Sequence, residues 1–377
     1  MRKTIVCLAN SYKHGGRCVA GIGTDGAWIR LCGSSPDGAL QPPEYALDDG
    51  SEPRLRGTPA GVMMAPLVAN SPPSPYPSPT VPGSVLAGKY RVERILGQGG
   101  MGVVVEARHI ALDERVALKF LPPDRVSSAE GVARFEREAR SSAKLKSQHV
   151  PRVSDVGRLE NGAPYMVMEY LDGLDLDAWL KARGALSVEG AIDFVLQASE
   201  ALAEAHSLGI VHRDLKPANL VCIERSNGEL CIKVCDLGIS ELPPLKDPGH
   251  GMTTTSALMG SLFYMSPEQM QPAQGGDARS NVWALGVILY ELVVGHPPFT
   301  GNSVTELAIK VATTTAPPLR SARKDTPASL EAVVARCLEK DPDKRFQNIR
   351  ELVTALSPLA PARSRVSIER VLGTLSR

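Results

Sequence analysis

Four polar residues in two nearby segments have the side-chain types that phosphoryl transfer needs. Asp214, Lys216 and Asn219 lie in the run His-Arg-Asp-Leu-Lys-Pro-Ala-Asn, and Asp236 begins Asp-Leu-Gly a short hairpin later. In such chemistry a carboxylate orients the attacking hydroxyl, a cation steadies the transferred group, and oxygen ligands hold Mg²⁺. We therefore predict Asp214 and Lys216 as catalytic residues, and Asn219 and Asp236 as metal ligands.

A glycine-rich run lies between two predicted strands. A dinucleotide-binding fingerprint of this spacing should open a helix, whereas a strand-turn-strand setting suits a flap whose amides approach ATP phosphates. The motif alone is equally consistent with a tight hairpin. The predicted flap comprises Gly97, Gln98, Gly99, Gly100, Met101 and Gly102 and continues into Val103.

Lys119, in Val-Ala-Leu-Lys, lies on the next predicted strand, where its ammonium would face the nucleotide phosphates. Glu138, on the helix that follows, is placed to pair with this lysine and hold it in position. Glu136 on the same helix is the competing partner. Ordinary surface charge is the alternative interpretation of all three residues.

These motifs, in this order, strongly resemble those of the eukaryotic-like (Hanks-type) protein kinases. The resemblance runs from about Tyr90 to Leu356, and the phrases LGQGGMGVV, HRDLKPANL and YMSPEQ are most similar to bacterial members. It implies an α+β, two-lobed fold with a β-rich N-lobe carrying one main helix and an α-rich C-lobe. It also implies that Arg345 forms a structural ion pair with Glu268 of Met-Ser-Pro-Glu.

The resemblance also implies the chemistry. Lys216 directly after Asp214-Leu215 is typical of serine/threonine kinases, so we expect ATP and Mg²⁺ as cofactors and protein hydroxyls as acceptors. Lys119 and Glu138 join the catalytic set. By this resemblance, Met168 would be the gatekeeper, and the Glu169 carbonyl and Leu171 amide would form hydrogen bonds with adenine. The alternative interpretation is that these residues form an ordinary core strand. The ring would lie between Leu96, Val104, Ala117 and Val221.

A hydroxyl cluster at 252–256 lies where kinases of this family carry activation-loop phosphosites. We predict autophosphorylation at Thr253 or Thr255, because a phosphate there could pair with Arg213 beside the catalytic aspartate. A plain polar loop is the alternative. Ser261 occupies the position of a family threonine near the catalytic loop, and Cys235 is interpreted as a buried structural cysteine rather than a reactive one.

Asn281 departs from the family pattern, which has an aspartate bracing the backbone of the catalytic loop. Asparagine keeps an acceptor but loses charge-assisted strength, so we expect lowered activity. The competing function is a pseudokinase, a binding scaffold or signalling adaptor without chemistry. Because the four residues most needed for catalysis are present, this alternative rests on Asn281 alone.

The remaining sequence divides into a front module, a linker and a tail. Residues 1–60 contain three short predicted strands and resemble the start of bacterial OB-like domains, so we predict a small β-rich module or OB-like fragment. Residues 61–88 are a Pro/Ser-rich linker, 89–358 the kinase domain and 359–377 a tail with an amphipathic pattern. Residues 1–60 contain few basic residues and few aromatic side chains that could stack on bases, such as Tyr12 and Trp28, which argues against nucleic-acid binding.

Composition is that of a folded protein. The 377 residues are 43% hydrophobic, 22% charged and carry a net charge of +1, so no general attraction to nucleic acid or acidic membranes is expected. The seven cysteines lack paired metal or disulfide spacings and the amino-terminal apolar run is short, which predicts a cytoplasmic location. Residues 282–294 predict a buried helix instead of a membrane span. Self-association for trans-autophosphorylation is a further expectation.

Overall fold

The computed structural model describes residues 80–99, 102–121, 126, 128–160, 162–237, 260–271 and 276–374. The predicted front module at 1–60 and most of the predicted linker therefore lie outside the described residues. The described chain starts with a β-rich part and continues into a helix-rich part, as the resemblance implied.

The β-rich part is one antiparallel sheet. Its strands are β1 Val85–Leu86, β2 Tyr90–Gly99, β3 Gly102–His109, β4 Glu114–Phe120, β5 Val153–Arg158 and β6 Pro164–Glu169. They lie in the order β1-β2-β3-β4-β6-β5. Apolar and β-branched side chains such as Val105, Leu118 and Val167 alternate toward one buried face and form its core.

Helix α1, Ala129–Ser142, packs against this sheet. Ser128 caps its first turn by accepting a hydrogen bond from the amide of Gly131 at 3.1 Å. Phe135 and Ala139 are buried with Met166 of β6 in a small separate core. This packing fixes the helix face that carries Glu138.

The helix-rich part contains a second, smaller sheet and a central buried helix. The small sheet has the order β7-β8-β9, with β7 Gly173–Asp175, β8 Leu220–Glu224 and β9 Leu230–Val234. The helices are α2 Leu176–Arg183, α3 Val188–Ser207, α4 Ala278–Val294, α5 Val304–Thr313, α6 Leu319–Ala322, α7 Ala328–Cys337, α8 Ile349–Leu356 and α9 Arg365–Thr374.

Helix α4 is apolar on nearly all sides and is buried from Ser280 to Val293, as expected for a helix at the centre of a lobe. Gly295, at φ +97°, ends it in the left-handed conformation. The buried helix predicted at 282–294 is thus confirmed. Within the described ranges, no helix combines the length and apolarity that crossing a bilayer requires.

The expected ion pair between Arg345 and Glu268 is present and buried. The Arg345 side chain is fully buried and donates two hydrogen bonds of 2.8 Å, one to each carboxylate oxygen of Glu268. Burial alone would raise the pKa of Glu268, but Arg345 holds that pKa below its usual range. Such bidentate geometry gives both strength and directional specificity.

Two boundaries differ from the sequence predictions. The helical pattern in the sequence extends over 128–146, whereas helix α1 ends at Ser142, and the amides of Lys146 and Ser147 are bound by the Glu204 carboxylate of α3 at 2.9 and 2.7 Å. Val85–Leu86, inside the predicted linker, forms strand β1 and pairs with the start of β2. The domain ranges themselves remain predictions.

Helix α3 carries a polar stripe formed by Asp193, Gln197, Glu200 and Glu204, of which the first three are buried and Glu204 is half-buried. Their spacing of four, three and four residues places them on one face of the helix. The carboxamide of Gln197 accepts from the amide of Ile232 in β9 at 2.8 Å. The stripe therefore binds α3 both to the loop that follows α1 and to the strand that leads to Asp236.

The stripe also binds the carboxy-terminal segment. Asp193 accepts hydrogen bonds from Arg363 at 2.9 Å and from the Ser364 hydroxyl at 2.5 Å. Two turns further along α3, Glu200 accepts from Arg370 of α9 at 3.0 Å. The predicted tail thus contains a helix that packs on the C-lobe.

His149 connects the stripe to β9. Its Nε2 lies 3.3 Å from Glu200 and its Nδ1 lies 2.7 Å from the Ile232 carbonyl, while its own carbonyl accepts from the Val234 amide at 2.7 Å. Burial would lower the pKa of His149, but its contacts with Cys231 and Glu200 outweigh burial and raise that pKa to about 9. His149 is therefore charged at neutral pH.

We expect His149 to make the free energy of unfolding depend on pH. A histidine whose pKa rises from about 6.5 in the unfolded chain to about 9 stabilises the fold fully below pH 6.5, and this contribution, about 3 kcal/mol at most, is lost as pH rises through 9. Denaturant unfolding at pH 6 and pH 9 measures it. H149Q should flatten the difference, whereas H296Q, at an exposed histidine, should retain it. Equal pH dependence in wild type and H149Q would contradict the assignment.

Candidate active site

Lys119 of β4 is held between two carboxylates. Its Nζ lies 2.6 Å from Glu138 Oε1 of α1 and 2.7 Å from Asp236 Oδ1. The lysine is only 2% exposed. Glu136, the competing partner in the sequence, forms its ion pair with Arg158 instead.

The charges of this cluster determine one another. Burial would lower the pKa of Lys119, but Asp236 and Glu138 outweigh it and raise the pKa, so the ammonium stays charged. Lys119 in turn lowers the pKa of Asp236. The pKa of Glu138 is raised, chiefly by burial, so Glu138 is the carboxylate of this cluster that protonates more easily.

The catalytic-loop candidates lie together. Lys216 Nζ donates to Asp214 Oδ2 and to the Ser261 hydroxyl, both at 2.7 Å. Asn219 Nδ2 donates to the backbone carbonyl of Asp214 at 2.8 Å, which closes the loop on itself. Asp214 Oδ1 forms no hydrogen bond with any described residue. The loop therefore presents a carboxylate oxygen beside an ammonium.

Asp236 is brought to this loop by backbone contacts. The Cys235 amide donates to the Asn219 carbonyl at 2.8 Å, and His212 Nε2 donates to the Cys235 carbonyl at 3.0 Å. Asp236 has φ +52°, a conformation that costs a non-glycine residue energy and is typical of functional sites. The backbone bond thus joins the segment that carries Asp236 to Asn219, and the carboxylate and amide oxygens of these two residues are of the type that suits Mg²⁺.

Asn281 braces the catalytic loop with an uncharged acceptor. Its Oδ1 accepts from His206 Nε2 at 2.9 Å and from the His212 amide at 3.2 Å. Burial lowers the pKa of both histidines, so both rings are neutral at neutral pH. The Gln269 side chain adds a further brace by donating to the Arg213 carbonyl at 2.9 Å.

Most of the predicted nucleotide-binding residues lie on strands of the main sheet. Strands β2 and β3 pair as a hairpin through Gly99 and Gly102, and a side chain at Gly102, which has φ +142°, would collide with the Phe120 carbonyl. Ala117 pairs with Met168, next to Glu169 in the predicted hinge. The strands place the other predicted contacts as follows: Leu96, Gly97 and Gln98 on β2, Val103 and Val104 on β3, Val221 on β8, and Leu171 just after β6.

Several sequence predictions lie outside the described residues. These are Gly100 and Met101 of the flap and the candidate phosphosites Thr253 and Thr255. Cys235 is described, and burial, followed by the nearby Asp236 charge, raises the pKa of its thiol. A protonated thiol fits the structural interpretation of this cysteine.

Sequence reasoning missed three contacts of the site. These are the direct contact of Lys119 with Asp236, the role of His206 as a partner of Asn281, and the brace from Gln269. All three join residues at least 50 positions apart, so no spacing rule could have identified them. The histidine at the end of α3, just before the catalytic loop, was the one local signal.

Comparison with known proteins agrees with this geometry. Residues 90–355, more than half of the chain, match the protein kinase domain family. The chain therefore belongs to the protein kinase family. Residues 3–56 match the dual OB-containing domain family, which confirms the predicted OB-like start.

The similar relatives are bacterial. The serine/threonine-protein kinase pkn3 of Myxococcus xanthus is 39% identical over 265 residues, covering 70% of this chain and 48% of that protein. PknB of Mycolicibacterium smegmatis is 40% identical over 271 residues, covering 71% and 42%. The crystal structure of the Mycobacterium tuberculosis PknI kinase domain has a TM-score of 0.56 at 30% identity, covering 74% of this chain and 99% of that one. The chain spans less than half the length of the two curated relatives.

Asn281→Asp should raise turnover about fivefold. A carboxylate would receive the two hydrogen bonds that Oδ1 now accepts and, being charged, would bind them about twice as strongly. The measurement is kcat of N281D beside wild type, with N281A as the matched control that removes the acceptor and should lower kcat. Unchanged turnover in N281D would show that the amide braces the loop equally well.

Proposed function

We propose that this protein is a serine/threonine protein kinase that transfers the γ-phosphate of ATP to protein hydroxyls. The observation that carries the proposal is that two clusters are joined by the hydrogen bond from the Cys235 amide to the Asn219 carbonyl. One cluster holds Lys119 between Glu138 and Asp236, and the other holds Asp214 beside Lys216. Family membership and serine/threonine kinases among the similar proteins support it.

Each residue of the site has a distinct role in this proposal. Lys119, fixed by Glu138, binds the nucleotide phosphates. Asp214 orients the acceptor hydroxyl and receives its proton, and Oδ1 is the oxygen available for this because Oδ2 is bonded to Lys216. Lys216 stabilises the charge of the transferred phosphoryl group, and Ser261 holds that ammonium in place.

The donor set fits a magnesium ion. Asn219 uses its Nδ2 on the loop backbone, which leaves Oδ1 as the ligand atom, and Asp236 contributes a carboxylate whose pKa is lowered by Lys119. A magnesium ion held by Asn219 and Asp236 would supply positive charge that offsets the charge of the ATP phosphates. The protein itself keeps Asp236 ionised through Lys119, and it keeps Asn219 oriented through the hydrogen bond to the Asp214 carbonyl.

A pseudokinase scaffold is the second candidate, and Asn281 is the observation that favours it. The amide replaces the charged brace of the catalytic loop, yet it still accepts two hydrogen bonds. The retained acceptor favours weakened catalysis over none.

The proposal extends to the setting of the enzyme. Its acceptors are serine and threonine residues of other proteins, and self-association would allow trans-autophosphorylation. We place it in the cytoplasm and assign no role to nucleic acid. Residues 89–358 form the kinase domain of the proposal, with the module at 1–60 and the linker at 61–88 before it and the tail at 359–377 after it.

Label from radiolabelled ATP should pass to serine or threonine of a generic basic protein in the presence of Mg²⁺. Asp214→Asn and Lys119→Met should each lower the rate by about 10² to 10⁴, the usual contribution of such groups. Glu138→Gln should also lower it, whereas Glu136→Gln is the matched control on the same helix and should not. Mg-ATP binding without any transfer would favour the scaffold.

Incubation with Mg-ATP should add phosphate to the protein itself. Intact-mass spectrometry should show the added mass in wild type and not in Lys119→Met, because the phosphate comes from the protein's own activity. Removal of both candidate sites in T253A/T255A should abolish or reduce the addition and lower turnover, because the phosphate no longer pairs with Arg213. Full phosphorylation of the double variant would show that the phosphorylated residues are not Thr253 and Thr255.

A further inference from the structure

Tyr170 lies in the hinge between Glu169 and Leu171, the two residues whose backbone groups are expected to bond adenine. Two arginines of the main sheet contact its side chain. Arg94 of β2 donates to the Tyr170 hydroxyl at 3.0 Å, and the guanidinium of Arg115 of β4 lies 4.5 Å from the ring centroid. The ring is therefore held at its edge and on its face.

The two arginines are themselves braced. Glu106 of β3 lies 2.8 Å from Arg94 and 3.9 Å from Arg115, and its side chain is only 10% exposed. Arg115 also forms a 2.8 Å ion pair with Asp172, two residues after Tyr170. The Glu106 carboxylate thus aligns the guanidinium groups of both arginines. Arg115 contacts the hinge segment twice, through the ring of Tyr170 and through Asp172.

A separate contact fixes the preceding hinge residue from the other lobe. Lys233 of β9, 7% exposed, donates to the Glu169 carboxylate at 2.7 Å. Consecutive hinge residues are therefore tied to opposite lobes, Glu169 to β9 and Tyr170 to β2 and β4.

We propose that Arg94, Arg115 and Glu106 form a clamp on Tyr170 that positions the hinge backbone and so sets the affinity for the adenine base. The proposal rests on the proposed nucleotide site and adds to it positioning residues that touch neither the phosphates nor the metal ligands. The clamp acts through Tyr170: rotation of this residue would move the Glu169 carbonyl and the Leu171 amide out of alignment with the purine.

Hydrogen bonding to Tyr170 and stacking on it are each modest interactions, so the expected effects are modest. Tyr170→Phe and Arg94→Ala remove the same hydrogen bond and should each weaken binding about threefold, with no further loss in the double variant. Tyr170→Ala also removes the stacking and should weaken binding about tenfold.

The test is calorimetric titration of the full chain with adenosine and, separately, with Mg-ATP. Adenosine is uncharged, so it isolates positioning of the hinge from long-range attraction between arginines and phosphates. Arg108→Ala is the matched control, because Arg108 of β3 forms a comparable exposed pair with Asp113, 2.7 Å away, and does not contact the hinge. In turnover assays the Tyr170 variants should raise KM for ATP and leave kcat unchanged.

Equal weakening of adenosine and Mg-ATP in the Tyr170 and Arg94 variants, with Arg108→Ala unaffected, is the expected result. Weakening of Mg-ATP alone would overturn the clamp, since the arginines would then act only on phosphate charge. Unchanged adenosine affinity in Tyr170→Phe and Arg94→Ala would also overturn it, whether or not Tyr170→Ala folds. Failure of the wild type to bind either ligand would overturn the proposed nucleotide site itself, which is a distinguishable result.

Discussion

One buried ammonium constrains the whole site. Lys119 is almost fully removed from water, and a charge in that position is tolerated only when it is paired and hydrogen-bonded. Its two partners come from different parts of the chain, Glu138 from α1 and Asp236 from the segment after β9. The need to neutralise one charge therefore fixes the relative placement of the main sheet, its helix and the segment that carries the metal-ligand candidate.

Helices α1 and α3 and strand β9 position the residues of this charge cluster through contacts that lie outside it. Glu138 is positioned by α1, whose Phe135 and Ala139 pack into the sheet, and the loop after α1 is bound by the Glu204 carboxylate of α3. The polar stripe of α3 and His149 hold β9 just before Asp236. A single helix thus positions both ends of the charge cluster, which explains why so many polar groups are buried along it.

The sequence predicts much of the site because the motifs are local. The motifs from His212 to Asn219 and around Lys119 carry the resemblance to protein kinases, and that resemblance implies the two-lobed α+β fold and the set of site residues. The sequence favoured Glu138 over Glu136, and in the structure Glu138 is the residue that contacts Lys119, because packing of the helix decides which of the two faces the lysine. The partners of Asn281 and the clamp on Tyr170 join distant segments, and neither periodicity nor propensity carries that information.

The contacts of α9 have a practical consequence for protein engineering. The family match ends at residue 355, whereas Asp193 and Glu200 of α3 receive hydrogen bonds from residues 363, 364 and 370. A fragment cut at the family boundary would leave two carboxylates of the lobe's interior short of donors, and each such loss costs about 1–3 kcal/mol. A fragment of the kinase domain that is meant to fold independently should therefore be designed to run through residue 374.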